Sequence, residues 1–434
     1  MKAGLVLAGL FGWLLAFPMF GPLLFGAAGA AAPTAGLCFV FAHALGLLLL
    51  HWLPGAAAGR RWLVPGAGAL VAGLTLSFGL WQVTAPFAYV ALAVIGLGAA
   101  VLVLAWVDLW MACAERLTPL AVAMSGANLA VALVALPTGL PPVVWLAPAA
   151  ALALGSSIAI VRQSAPPAPA EAPHTAAPRG IIIATAAFAV ADYFVGGIWY
   201  NIVAASAPAA RAWQPSLEAV TYATAILLLY WLVRGRNRGQ LALYSLSALG
   251  MGLVMAASGI AGAPFRAVLL LGLAAGDLFF WDQLGRLSPA FGARRGLGLG
   301  LGASVLLIGL ANLGAAVAAP GQGGSGRLFL LIGAGLLFLV IPVVFRYAVG
   351  NDTAPPAEIP PGPALVVSGL TPTELQVYQL LAAGATDQEI AERLYVSKHT
   401  VKFHVRNVLH KAGVANRKQL LSRLVAATEE KRRP

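Results

Sequence analysis

Charged residues are what this chain has least of, making up 10% of its 434 residues against 60% apolar ones. Soluble domains carry about 25% charged residues, so a chain built only of such domains is excluded and a multi-spanning membrane protein is indicated. Cysteine is nearly absent. The two present, Cys38 and Cys113, lie in or beside apolar stretches, which leaves no disulfide framework and no zinc-ligand cluster. Both read as small apolar packing residues. Acidic residues number 15 against 27 basic ones, a formal charge of +12. A basic excess fits cytoplasmic loops and DNA-facing helices alike. No phosphate-cradling glycine loop, catalytic triad or metal-ligand constellation stands out, so no enzyme activity, cofactor or metal is expected.

Apolar runs fill most of the chain. Stretches near the ~20 residues that a spanning helix needs lie around 3–26, 34–53, 62–82, 85–107, 117–137 and 140–161, then 180–205, 215–233, 240–261, 265–286, 296–318 and 327–349. The first exceeds the roughly 7–15 residues of a signal h-region and is read as an uncleaved span. Twelve spans with both ends inside put Lys2, Arg60, Arg61, Arg116, Arg162, Arg179, Arg234, Arg236, Arg238, Arg286, Arg294, Arg295 and Arg346 on the cytoplasmic side. Only Arg211, Arg266 and Arg327 fall outside, the asymmetry that the positive-inside rule requires. The expected setting is a bacterial inner membrane, with the N-terminus and the C-terminal module cytoplasmic.

The expected domains are a first six-helix half (1–161), a Pro/Ala linker (162–179), a second half (180–349), a Pro-rich tether (350–368) and a C-terminal module (369–428). A weak repeat relates the halves: Arg116-Leu117-Thr118-Pro119 matches Arg286-Leu287-Ser288-Pro289, and Gly59-Arg60-Arg61 corresponds to the basic cluster at 234–238. Repeated halves are a transporter signature. This six-plus-six layout resembles the major facilitator superfamily. Of that superfamily's acidic-basic loop after the second helix only the basic end is present, as Arg60 and Arg61, with no Asp.

Ionisable groups at membrane depth are functional candidates. Asp192 falls midway along the seventh span with Tyr193, Trp199 and Tyr200 nearby, and Asp277 midway along the tenth with Phe279, Phe280 and Trp281. Asp192, Tyr193, Trp199, Asp277 and Trp281 are the candidate ligand-binding set, a charged anchor with aromatic walls. His43 and Asn128 are weaker candidates. Asp108 and Asp282 lie near span ends, where a salt bridge with Arg116 or Arg286 is expected.

The C-terminal module reads as four short helices. Thr371-Pro372-Thr373-Glu374 is a capping box with Pro at the first helical position, and Gly384 is a natural stop. Thr386 to Glu389 repeats the box, Ser397 caps a third helix after a tight turn at Tyr395-Val396, and Asn416 caps a fourth. On the third helix Val401, Val405, Val408 and Ala412 share one face, while His399, Lys402, Phe403, Arg406 and His410 recur at helical spacing on another. A basic, exposed helix face of this kind fits the major groove of double-stranded DNA. On the fourth helix Leu420, Leu421, Leu424 and Val425 leave apolar surface for a second copy.

Residues 370–424 resemble the LuxR-type helix-turn-helix, in LTPTE, EIAERL, VS, TVKFHV and GVANR. The resemblance implies that Lys402, Phe403 and Arg406 face bases, that Lys398, Thr400 and Lys411 meet phosphates, and that Gln419 to Val425 form a homodimer contact. The fold expected is therefore all-α, a twelve-helix transporter-like transmembrane bundle followed by a four-helix LuxR-type domain. No receiver or soluble autoinducer domain stands ahead of the module, so the membrane body is expected to supply the input. The reading is a membrane-tethered, one-component transcription regulator responding to a small-molecule effector. The alternatives are a secondary transporter with a regulatory DNA-binding tail and a scaffold that anchors DNA to the membrane.

Overall fold

The computed structural model describes residues 2–51, 57–80, 83–113, 115–136, 140–141, 143–163, 179–198, 214–234, 238–258, 263–318, 324–346, 370–394 and 398–430. Among them are helices and connecting turns, with no strand. Two units emerge, a membrane body (1–234 and 238–348) and a C-terminal module with residues 349–434. The expected tether, most of the central linker, Trp199, Tyr200, and the turn through Ser397 lie outside the described residues.

The body's first half holds α1 (Lys2–Ala16), α2 (Pro22–Ala28), α3 (Ala32–Leu50), α4 (Ala57–Leu80), α5 (Ala85–Met111), α6 (Leu117–Val134) and α7 (Val143–Arg162). Its second half holds α8 (Arg179–Ala189), α9 (Gln214–Val233), α10 (Gln240–Ala257), α11 (Ala263–Leu287), α12 (Ala293–Ala318) and α13 (Gly324–Val344). Among the described residues nine helical stretches are long and apolar enough to cross a membrane. Three more apolar helices, Ala3–Ala16, Gln240–Met255 and Gly333–Val344, are shorter.

The first expected span is cut short. Helix α1 stops at Ala16, and Gly21 is extended at φ −75° and ψ 161° ahead of Pro22. Proline forces that geometry on the residue before it, because its ring clashes with a helical neighbour. The apolar run from Pro22 then joins α3 as one stretch, Pro22–Leu50, instead of completing the first span.

Within the halves α3 packs on α5, α1 on α6 and α4 on α7, while α10 packs on α11 and α13. The halves meet through α3 with α12 and α6 with α9. In the six-plus-six order α3 is equivalent to α9 and α6 to α12, so exchanging the halves interchanges the two contacts, in keeping with the weak sequence repeat. Small residues allow the close approach. A Cβ at Gly298 would lie 2.7 Å from the His51 Cβ, and one at Gly302 would lie 2.7 Å from Leu48 Cγ.

The module holds α14 (Pro372–Ala382), α15 (Asp387–Leu394), α16 (Lys398–Lys411) and α17 (Arg417–Glu430). Its core is Val377, Leu381, Ile390, Val401, Val408 and Leu420, each with no exposed area.

Candidate functional site

The face expected to read DNA is built from the caps inward. The Glu374 backbone N–H donates to Thr371 Oγ1 at 3.3 Å, and the Thr371 N–H donates to Glu374 Oε2 at 2.9 Å. Two otherwise unpaired donors at the start of α14 are satisfied reciprocally. Thr386 and Glu389 repeat the exchange at 2.7 and 3.3 Å. Gly384, at φ +86°, ends α14, and the Gly384 and Ala385 N–H groups return to the Leu381 and Leu380 carbonyls. Only glycine reaches that left-handed backbone without a Cβ penalty. Asn416 Oδ1 accepts the Gln419 N–H at 3.0 Å and opens α17.

These ends hold α16 with Val401 and Val408 in the core and Val405 and Ala412 packed beside them. The other face is free: Lys402, Phe403, Arg406 and His410 are exposed. The Arg406 guanidinium carbon lies 5.7 Å from the Phe403 ring centroid. That cation–π contact keeps the long cationic side chain in the row. Thr400 is half-buried at the start of α16, and the side chains of Lys398 and His399 lie outside the described residues.

Two of the expected residues have partners within the module itself. Lys411, assigned to a phosphate by resemblance, donates from Nζ to Glu374 Oε2 at 2.6 Å and ties the end of α16 to the capping box of α14. A phosphate would have to compete with that ion pair. Leu420, expected on the surface offered to a second copy, has no exposed area and belongs to the module's own core. Its position follows from Arg417, which reaches Asp387 at 3.6 Å and the Ala385 carbonyl and so draws α17 onto its own module. Gln419 is exposed with its side-chain oxygen accepting the Ala415 N–H at 2.8 Å, and Leu421 is half-buried. The side chains of Leu424 and Val425 lie outside the described residues.

The Lys411 ammonium, with the Thr371 N–H beside it, holds the Glu374 carboxyl down at about 2 against an ordinary 4.5. A carboxyl lowered by folding stabilises the folded state fully above its unfolded value, and that contribution is lost as pH falls toward the folded one. Protection of the Val377 and Leu381 amides from hydrogen exchange in the full chain is therefore expected to decline between about pH 4.5 and about pH 2. Lys411→Met should lower the protection above about pH 4.5 and shrink the decline below it, because the folded carboxyl then titrates closer to its unfolded value, and comparing the two proteins at matched pH cancels intrinsic exchange rates. Identical profiles would rule the linkage out.

The body holds a second constellation. Residues Val190–Val195 form a π-helical turn at the end of α8, an irregularity often found at functional sites. It directs two consecutive residues inward. Asp192, 1% exposed, accepts a hydrogen bond at Oδ1 from Ser245 Oγ on α10 at 2.7 Å. Tyr193 donates its hydroxyl proton to Asp277 Oδ1 on α11 at 2.7 Å, and Tyr222 on α9 donates to Asp277 Oδ2. A Cβ at Gly276 would lie 2.3 Å from Asp192 Oδ1, so any larger residue there would displace the carboxylate from α11. Among the described residues Asp192 Oδ2 is buried without a hydrogen-bond partner.

Of the expected ligand set, Asp192, Tyr193 and Asp277 come together, joined by Tyr222, Ser245 and Gly276, which sequence reasoning missed. Trp281 goes elsewhere. Its ring packs against Phe11, Trp106 and Trp110 at centroid distances of 5.7, 6.0 and 5.7 Å, joining the halves. Trp199 is outside the described residues. His43 contacts the Gly96 carbonyl at 3.0 Å and stacks on Phe39, and Asn128 donates to the Met124 carbonyl of its own helix; both have structural partners.

Below Trp281 the halves are clamped by charge. Arg238 reaches Glu115 of the first half and Asp282 of the second, each at 2.7 Å, and Arg286 reaches Asp282 at 2.9 Å. The expected Asp282–Arg286 pair is thus present. Arg116 donates to the Gly285 carbonyl at 2.8 Å across the same boundary.

Together these features define a helix-turn-helix DNA-binding domain joined to a transporter-like helical membrane body. Residues 368–424 match the family described as bacterial regulatory proteins, luxR family. The spore germination protein GerE of Bacillus subtilis is 38% identical over 60 residues, 14% of this chain and 81% of that protein. The chain therefore belongs to the LuxR family through its C-terminal module. LiaR of Bacillus subtilis, a transcriptional regulatory protein, is 43% identical over 56 residues, 13% of this chain and 26% of that protein. A putative HTH-type transcriptional regulator of Mycobacterium tuberculosis (strain CDC 1551 / Oshkosh) is 44% identical over 59 residues, 14% of this chain. The chain spans only 7% of the length of that mycobacterial relative. The structure is also similar to a crystal structure of the E. coli fucose:proton symporter FucP. The TM-score is 0.52 at 16% identity, covering 80% of this chain and 98% of the symporter. At that identity the likeness establishes a shared fold for the membrane body.

Proposed function

We propose that this protein is a membrane-tethered one-component transcription regulator. The transporter-like body binds a small-molecule effector, and the module binds promoter DNA from the cytoplasmic side as a homodimer. The observation that carries this reading is the exposed row of Lys402, Phe403 and Arg406 on a helix whose opposite face is locked into the module's core. A ligand can bias such a molecule only by binding two states of the body with different affinity. The twelve-span count and cytoplasmic placement of both ends belong to this proposal and rest on the loop charges. Chromatin pull-down of the tagged full chain tests it: a discrete set of promoters should be enriched. Absence of enrichment, or enrichment that survives loss of Lys402 and Arg406, refutes the reading.

A second reading is favoured by the symporter-like fold and the buried carboxylates, namely a secondary transporter with a regulatory tail. It requires counterflow uptake in proteoliposomes that disappears in Asp192→Asn. Promoter response without such uptake decides for the regulator.

A further inference from the structure

We propose that Asp192 and Asp277 anchor a small organic cation, a protonated amine or a quaternary ammonium. The proposal names the effector class for the site in the proposed function and rests on that reading only for its effect on transcription. The carboxylates differ in how they are satisfied. Both oxygens of Asp277 accept tyrosine hydroxyl protons, whereas Asp192 has one oxygen on Ser245 and the other, among the described residues, unpartnered in a side chain 1% exposed. Among the described residues neither carboxylate has a basic partner, and no cluster fit to hold a metal ion is present. A buried carboxylate without a counter-charge is strongly unfavourable, and the cost is relieved either by taking up a proton or by a cation that joins it.

On α11 Asp277 is partly exposed, while every residue from 278 to 285 is buried, as are Leu269 and Leu270 before it. On the same helix Arg266 is already neutralised by Glu218 at 2.5 Å, so it offers the pair no counter-charge. Aromatic rings flank the pair: Tyr193, packed edge-on to Phe280 at 5.0 Å, and Tyr222. Carboxylate and π-faces together select a cation over an anion or a neutral solute of equal size.

The test uses the purified full chain in lipid nanodiscs and its thermal unfolding midpoint. The probes are choline and phenethylammonium, each against its uncharged analogue (3,3-dimethylbutanol, 2-phenylethanol), with phenylacetate as the anion. At least one ammonium ion should raise the midpoint in a saturable way while its neutral analogue and phenylacetate do not. Asp192→Asn should weaken that response about tenfold or more, the loss of one charge-assisted contact. Ser245→Ala, which frees the other Asp192 oxygen but keeps the charge, should change it only severalfold and serves if the Asn variant does not fold. No response to either ammonium ion, an equal response to a neutral analogue, or unchanged affinity in Asp192→Asn overturns the proposal. A midpoint that responds to pH alone, through Asp192, makes the proton the ligand and overturns it as well. DNA does not enter the readout, so ammonium binding without a promoter response refutes the regulator reading and leaves this one standing.

Discussion

The full chain carrying Lys402→Ala with Arg406→Ala is expected to lose operator affinity on the order of 10²-fold or more, from ~1–3 kcal/mol at each lost base contact. The two side chains stand one turn apart on the exposed face of α16, so their losses need not add. Neither supports the fold. Val401 and Val408 carry the core contacts of that helix, so the module's stability should stay within about ±0.5 kcal/mol, as for exposed substitutions generally. Titration of a promoter fragment recovered by chromatin pull-down measures the effect. Lys418→Ala, an exposed charge on α17, is the control for non-specific attraction and should cost far less. Phe403→Ala should fall between, since it removes both an apolar contact for a thymine methyl and the ring that Arg406 stacks on. Equal losses in the double variant and the control would mean that this face does not read bases.

That face was legible in the sequence because every signal for it is local. Capping boxes at Thr371 and Thr386, the glycine stop at Gly384 and the cap at Asn416 act within four residues, and all four recur in the structure. The helical period then assigns Val401 and Lys402 to opposite sides of one helix. Pairings across longer separations were not legible. Lys411 and Glu374 are 37 residues apart, and nothing in either neighbourhood announces their ion pair. Leu420 looked available because an apolar stripe on a short helix has the same pattern whether it faces its own core or a second copy.

The membrane body divides in the same way. Asp192 and Asp277 stood out because a charge inside an apolar run is costly wherever the helix sits. Their partners did not, since Tyr222, Ser245 and Gly276 are ordinary residues in a bundle and lie 55, 53 and 84 residues along the chain from the Asp277, Asp192 and Asp192 they meet. Trp281 was assigned to the wrong neighbours for a related reason. Proximity in sequence to Asp277 suggested a shared pocket, but its ring lies among Phe11, Trp106 and Trp110 of the other half. The early end of α1 was readable in principle, because Pro22 constrains Gly21, but the apolar composition runs through the break unchanged.

Arg238→Met is expected to destabilise the body by on the order of 1–3 kcal/mol, less than the ~3–5 kcal/mol for leaving a buried charge uncompensated, because Arg286 still pairs with Asp282 and Arg238 is itself partly exposed. Asp282 is 5% exposed and would keep Arg286 alone, while Glu115 would lose its link to the second half. The loss should appear as a lower unfolding midpoint of the full chain at fixed scan rate, a kinetic measure suited to a protein that unfolds irreversibly. Combining Arg238→Met with Asp282→Leu separates two causes. If the single variant is weak because it strands a buried carboxylate, replacing that carboxylate by an apolar side chain recovers much of the loss, since a well-packed apolar pair can equal a buried ion pair. If instead the charge cluster is needed to hold the halves together, the double variant stays as weak as the single one, and Glu115→Gln weakens the body in the same direction. An Arg238→Met protein with an unchanged midpoint would show that Trp106, Trp110 and Trp281, with the Arg116 bond to Gly285, close this end of the bundle without help from charge.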